Sequence, residues 1–177
     1  GKEVTGKDLS KVVSKVKGEK GTTVELTVLR GEDAKEVTVT ATRDTVQAQT
    51  IEYKMMDDKI GYIRVSEFDT VTYDQYKEAL DDLEKQGMTG LVVDLRNNPG
   101  GSLSTVCDML DLMLPKGLIV YTEDKNGKKT EMKSDEEHQF TKPLAVLVNG
   151  NSASASEIYS GAIQDYGIGK IVGTQTY

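Results

Sequence analysis

One cysteine, Cys107, and one histidine, His138, stand among 177 residues. A lone thiol excludes an internal disulfide framework and any multi-cysteine zinc site. It falls among apolar residues of a predicted helix, which points to a buried, inert thiol and leaves the redox compartment open. His138 sits in the polar stretch Asp135-Glu-Glu-His-Gln139, which reads as an exposed loop. It is a general-base candidate, although a single histidine without a partnered carboxylate motif is more often a solvated side chain. Long apolar runs are missing too: the longest reach four or five residues, far short of a membrane span. No signal-peptide pattern is visible, and the chain opens in what reads as mid-domain. Basic residues are the minority, 22 against 29 acidic ones, for a formal net charge of −7. That argues against nucleic acid as a partner, because phosphate contacts need a concentrated basic face.

What is present reads in two parts, and the length allows one large domain or a domain plus a fragment. Thr5-Gly-Lys-Asp8 has a capping-box pattern opening a short helix, with Leu9, Val12, Val13 and Val16 on one face and Gly18 as a stop. Thr23–Leu29 and Glu36–Thr40 alternate apolar and polar residues across the turn Arg30-Gly-Glu-Asp33, a hairpin. One helix and one hairpin cannot bury enough apolar surface to make a domain. Ala41-Thr-Arg-Asp44 reads as a junction, dividing residues 1–43 from 44–177. A second hairpin follows, Val46–Met56 with Ile60–Val65. Thr72 then caps a helix that Gly87 closes. Leu91–Leu95 and Leu144–Val148 are short, nearly continuous apolar runs, as buried parallel strands are. Asn126-Gly127 marks a hairpin between Leu118–Tyr121 and Lys129–Lys133. From residue 88 onward strands alternate with helices, which predicts an α/β fold.

Two strand-to-helix loops carry the chemistry. Asn149-Gly-Asn-Ser-Ala-Ser154-Ala-Ser-Glu157 leaves an apolar strand and enters an amphipathic helix. Such a turn can expose a serine hydroxyl beside the free N–H groups of a first helical turn, so Ser154 is a candidate nucleophile. The same letters fit a capping box, Ser154 with Glu157, which needs no active site. Upstream, Asn97-Asn-Pro-Gly-Gly101 offers glycine backbone that can approach a ligand closely. One N–H from the Gly100-Gly101 loop and one from Ala155 would form an oxyanion hole; the plainer reading of Pro-Gly-Gly is a turn.

Together, Asp94-Leu-Arg-Asn-Asn-Pro-Gly-Gly101 and Ser152-Ala-Ser-Ala-Ser-Glu157-Ile resemble the signature of the carboxyl-terminal processing, or tail-specific, serine proteases. Residues 1–43 are similar to the second half of a bacterial PDZ domain, and 44–177 to a serine protease core of crotonase/ClpP-like type. The resemblance implies a serine–lysine dyad with Ser154 as nucleophile, Gly100, Gly101 and Ala155 as oxyanion donors, and no metal or cofactor. Asp165 falls where some members have an acidic residue affecting activity; it also reads as a solvated carboxylate near a helix end. Leu9, Val12, Val13 and Val16 would form one wall of a peptide groove and part of the PDZ core. The lysine base would fall two residues past Tyr177. Lys170, at a strand start, is the nearby alternative, so the chain as given is expected not to cleave peptides at family-like rates.

The resemblance implies a serine endopeptidase whose substrates are proteins or peptides with a free C-terminus. It would work outside the cytoplasm, at the cell envelope, in the periplasm or secreted; a homo-oligomer stays open. The rivals are a PDZ-bearing scaffold that keeps the fold without the chemistry, and an acyl-transfer enzyme of crotonase type.

Overall fold

The chain is described by a computed structural model covering residues 2–135 and 137–177. It divides into two compact units, one reaching Gln47 and the other running from Ala48 to Tyr177. In the first unit, helix α1 (Leu9–Val16) precedes an antiparallel hairpin of β1 (Thr23–Arg30) and β2 (Lys35–Thr42), in register from Thr23↔Thr42 to Arg30↔Lys35. The helix starts later than its capping pattern predicts. Gly6 sits at φ +70, outside helical space, so Asp8 becomes the cap and its carboxylate accepts from Ser10 N–H at 3.0 Å. Of the four apolar residues on α1, Val12 and Val16 are half-buried, whereas Leu9 is 76% and Val13 37% exposed. Arg43 ties the unit together, its guanidinium donating to Val16 O, Thr22 Oγ1 and Thr23 O at 2.7–2.9 Å.

The second unit runs β3 (Ile51–Met55), β4 (Ile60–Val65), α2 (Thr72–Lys85), β5 (Gly90–Asp94), α3 (Leu103–Asp111), β6 (Gly117–Glu123), β7 (Lys129–Ser134), β8 (Leu144–Val148), α4 (Ala155–Asp165) and β9 (Lys170–Gly173). Five strands form one sheet in the order β3-β4-β5-β8-β9. β3 pairs antiparallel with β4, and the other three pairings are parallel. The α/β architecture expected from the strand–helix alternation is therefore the one observed. β6 and β7 form a separate hairpin across Asn126-Gly127, whose turn is held by the Asp124 carboxylate accepting from the Asn126 and Lys128 N–H groups.

Alternation along the strands sets which face is core. Gly61, Ile63 and Val65 on β4 are buried and Tyr62 and Arg64 half-buried; on β8, Leu144, Val146 and Val148 are buried and Ala145 and Leu147 half-buried. The buried set packs with Tyr76, Leu80 and Leu83 of α2, Val106 and Leu110 of α3, and Tyr159 and Ile163 of α4. α2 ends as expected. Gly87, at φ +81, donates to Glu84 O and Met88 N–H donates to Leu83 O, the paired bonds of a Schellman motif. Its start differs from expectation: Val71 is the N-cap, and Thr72 lies inside the first turn, fully buried. The Thr72 hydroxyl accepts from the nearby Asp69 N–H and meets a tertiary partner, Thr50 Oγ1, at 2.8 Å. β3 begins at Ile51 rather than Val46, which is 89% exposed. Among the described residues, no helix is long and apolar enough to cross a membrane.

Candidate active site

β5 and β8 are parallel neighbours, with Asp94 paired to Leu147, so the loops leaving their carboxyl ends emerge side by side. In open α/β sheets that end is where ligands bind. Small polar side chains lock the two loops together. Asn97 N–H donates to Asn149 Oδ1 at 3.0 Å, and Asn97 Oδ1 accepts from Asn149 Nδ2 at 3.0 Å and Asn151 Nδ2 at 2.9 Å. Beneath them Asn98, Ser152 and Ser156 are fully buried. Ser152 Oγ donates to Leu95 O at 2.7 Å, while Ser156 Oγ and Ala153 N–H both donate to Asn98 O.

The glycine loop is pinned from its other side by Phe68. Phe68 N–H donates to Gly100 O at 2.9 Å and Ser102 N–H to Phe68 O at 2.7 Å. Gly100 has φ +106 and Gly101 φ +142, both in the region that favours glycine. A Cβ on Gly100 would come within 2.7 Å of Ser154 Cβ and 2.8 Å of Ala153 O. The two loops therefore meet at the residues that the sequence singles out, although they lie about fifty positions apart in the chain.

Ser154 is exposed at the N-cap of α4, with φ 54 and ψ −116. A non-glycine residue in that region is strained and persists only where its surroundings over-determine it. Ser154 and Glu157 are arranged as the capping box that their spacing predicts. Ser154 N–H donates to Glu157 Oε2 at 2.8 Å, whereas Glu157 N–H goes to the Ser154 carbonyl. Glu157 N–H also approaches the Ser154 side chain, the serine half of the box, without a full hydrogen bond to its hydroxyl.

The three expected oxyanion donors fare differently. Gly100 N–H is buried and engaged, donating to Asn98 Oδ1 at 2.9 Å. Gly101 N–H and Ala155 N–H have no acceptor among the described residues. Asp165 is not brought to the site: it is exposed at the far end of α4, ten residues beyond Ala155, or about 15 Å along the axis. Lys170 begins β9 opposite Ala145, at the other end of the sheet from the loops. His138 stays in an exposed loop. Among the described residues, no group of three or more His, Cys, Asp or Glu is placed to hold a metal ion.

The family model of Peptidase family S41 matches residues 59–177, which contain both loops. The chain belongs to peptidase family S41. It is 36% identical to the carboxy-terminal processing protease CtpA of Bacillus subtilis (strain 168), across 100% of this chain and 38% of that protein. It is 38% identical to the "Probable CtpA-like serine protease" of Staphylococcus aureus (strain COL), across 100% of this chain and 36% of that one. The chain thus spans little more than a third of the length of these curated relatives. It also superposes on the solved structure of photosystem II D1 C-terminal processing protease with a TM-score of 0.67 and 29% identity, covering 99% of this chain and 50% of that one.

In this S41 chain an ion pair between a buried carboxylate and an exposed guanidinium fixes where the first loop departs. Asp94 is 2% exposed, and its carboxylate accepts from Tyr62 OH at 2.7 Å, from Arg96 Nη2 at 2.6 Å and from Arg96 N–H at 3.0 Å. Burial pushes the Asp94 pKa up, but the Arg96 guanidinium, the Tyr62 hydroxyl and the Arg96 N–H outweigh it and hold the carboxyl below its ordinary value. Sequence reasoning assigned no role to Asn98, Ser152 or Ser156. The available signal was a run of hydrogen-bonding residues placed where two buried strands end.

Proposed function

We propose that this chain is part of a serine endopeptidase that processes the carboxyl-terminal tails of protein substrates, with Ser154 as its nucleophile. The observation that carries this reading is Ser154 itself: exposed, held at φ 54 and against Gly100, on loops whose Gly101 and Ala155 N–H groups have no acceptor among the described residues. An exposed hydroxyl is available to attack a scissile carbonyl. Gly101 N–H and Ala155 N–H then receive the oxyanion, each such donor contributing about 3 kcal/mol of transition-state stabilisation. Gly100 supports the hole indirectly, because the Asn98 amide orients its peptide.

The resemblance supplies a lysine as general base. Lys170 is not placed for that task, so the reading assigns the base to residues following Tyr177 in the complete protein. Such a lysine acts neutral, its pKa lowered by burial or neighbouring charge. The unit reaching Gln47 is read as the second half of a PDZ domain, with α1 as one wall of a groove for the substrate's free C-terminus. The exposed Leu9 and Val13 supply apolar contact there, and Val12 and Val16 face inward. The location follows the family resemblance: outside the cytoplasm, at the cell envelope, in the periplasm or secreted.

The test is digestion of a tagged protein by the complete gene product beside its Ser154→Ala variant. Cleavage that disappears in the variant, with fluorophosphonate labelling lost in parallel, is the expected result. Equal cleavage by both would remove Ser154 from the mechanism.

A further inference from the structure

We propose that Glu157 is a positioning residue that clamps Ser154 to the chain segment leaving β9; this rests on Ser154 being the nucleophile. A helix-capping glutamate needs one carboxylate oxygen for its task. Here both are engaged, and by different parts of the chain. Oε2 accepts from Ser154 N–H at 2.8 Å, and Oε1 accepts from Thr176 Oγ1 at 2.9 Å, nineteen positions further on. Glu157 and Thr176 are both half-buried, so the carboxylate bridges two elements instead of facing open water.

The segment it grips is laid along the Ser154 loop. Thr174 N–H donates to Val148 O at 3.3 Å and Tyr177 N–H donates to Ser152 O at 3.0 Å. Between these two backbone rungs, the Thr176–Glu157 bond is the rung that reaches the residue bearing the hydroxyl. The same carboxylate also holds the Ser154 N–H while that residue sits at positive φ. One side chain thus fixes the backbone of the nucleophile and its distance from residues 174–177. On the reading above, the chain continuing from Thr176 carries the base, so the clamp sets the nucleophile–base spacing. Displacement of reacting groups by about 1 Å can lower a rate on the order of a hundredfold.

The experiment uses the complete gene product, a peptide substrate, and thermal melts to establish that each variant is folded. Glu157→Ala is expected to lower kcat by about ten- to a hundredfold with KM little changed. Thr176→Val, which keeps the shape and loses the hydroxyl, should lower kcat as well, and combining the two should add little. Glu157→Gln should return most of the lost kcat, because its amide can accept from Ser154 N–H and donate to Thr176 Oγ1. A Glu157→Ala protein that melts lower but turns over normally when folded would make Glu157 a cap only. Unchanged kcat in Thr176→Val overturns the clamp as well, and that variant decides the matter if Glu157→Ala does not fold. Ser154→Ala is the control: if it cleaves as fast as the parent, the assignment of the nucleophile is what fails.

Discussion

At Gly101 the backbone runs at φ +142, and a Cβ there would overlap the carbonyl oxygen of Phe68, which accepts from Ser102 N–H. Gly101→Ala must therefore move the loop away from Phe68 and carry with it an N–H group that has no acceptor among the described residues. We expect at least a hundredfold loss of kcat/KM, roughly what removing an oxyanion donor costs, together with a lower melting temperature. Retained activity would show that this N–H does not serve the reaction. Asp94 gives a prediction about pH. Its carboxyl is held below the ordinary value near 3.9, so its contribution to stability is present above that value. The contribution is lost as pH falls through the ordinary value toward the depressed one in the folded state. Asp94→Asn should be less stable than the parent at pH 7 and lose less further stability on acidification. Urea midpoints at pH 7 and pH 3 check this; equal acid losses in both proteins would rule it out.

The two loops behave as one element because Asn98 bridges their surroundings. Its amide donates to Val65 O at 2.9 Å and accepts from Gly100 N–H, and its own carbonyl takes Ala153 N–H and Ser156 Oγ. Asn98→Ala leaves the Val65 carbonyl and the Gly100 N–H buried without partners, at about 1–3 kcal/mol for each unsatisfied group. Asn98→Asp should do no better, since a carboxylate cannot donate to Val65 O. A urea midpoint unchanged in both variants would mean that water replaces the amide. This part of the site was hardly legible in the sequence, because Val65 lies thirty-three positions from Asn98 and no local pattern pairs them. Features decided locally were readable: Gly87 as a stop, Asn126-Gly127 as a turn, and the apolar runs of β5 and β8. The start of α2 was not, since the Thr72 hydroxyl is claimed by Thr50, a partner known only once the chain has folded. The Gly100–Gly101–Ala155 trio was readable as a group, but which N–H groups stay unengaged depends on the Asn98 rotamer. Ser154 could be picked out by its motif, whereas its strained backbone is visible only in the fold.

Across the whole chain, burial is distributed unevenly between the two units. Every described side chain before Thr50 is exposed or half-buried, whereas the second unit has fully buried residues on β4, β5, β8, α2, α3 and α4. Backbone bonds in β1 and β2 are regular, but the hairpin has no closed apolar core, and an isolated two-stranded hairpin is marginal in water. α1 has eight residues, below the length at which a helix is stable alone. Arg43 links the helix end to the hairpin, yet three hydrogen bonds at partly exposed positions contribute only about 0.5–1.5 kcal/mol each. The chain of residues 1–177 should therefore not unfold as one cooperative body. Native-state hydrogen exchange should show the β1 and β2 amides opening at low free energy and those of β4, β5 and β8 only near global unfolding. Thermal unfolding followed at the second unit should persist with little change when residues 1–47 are removed. Equal protection of both units, or loss of the second unit's transition on that truncation, would show that the first unit draws stability from contacts that its own packing does not supply.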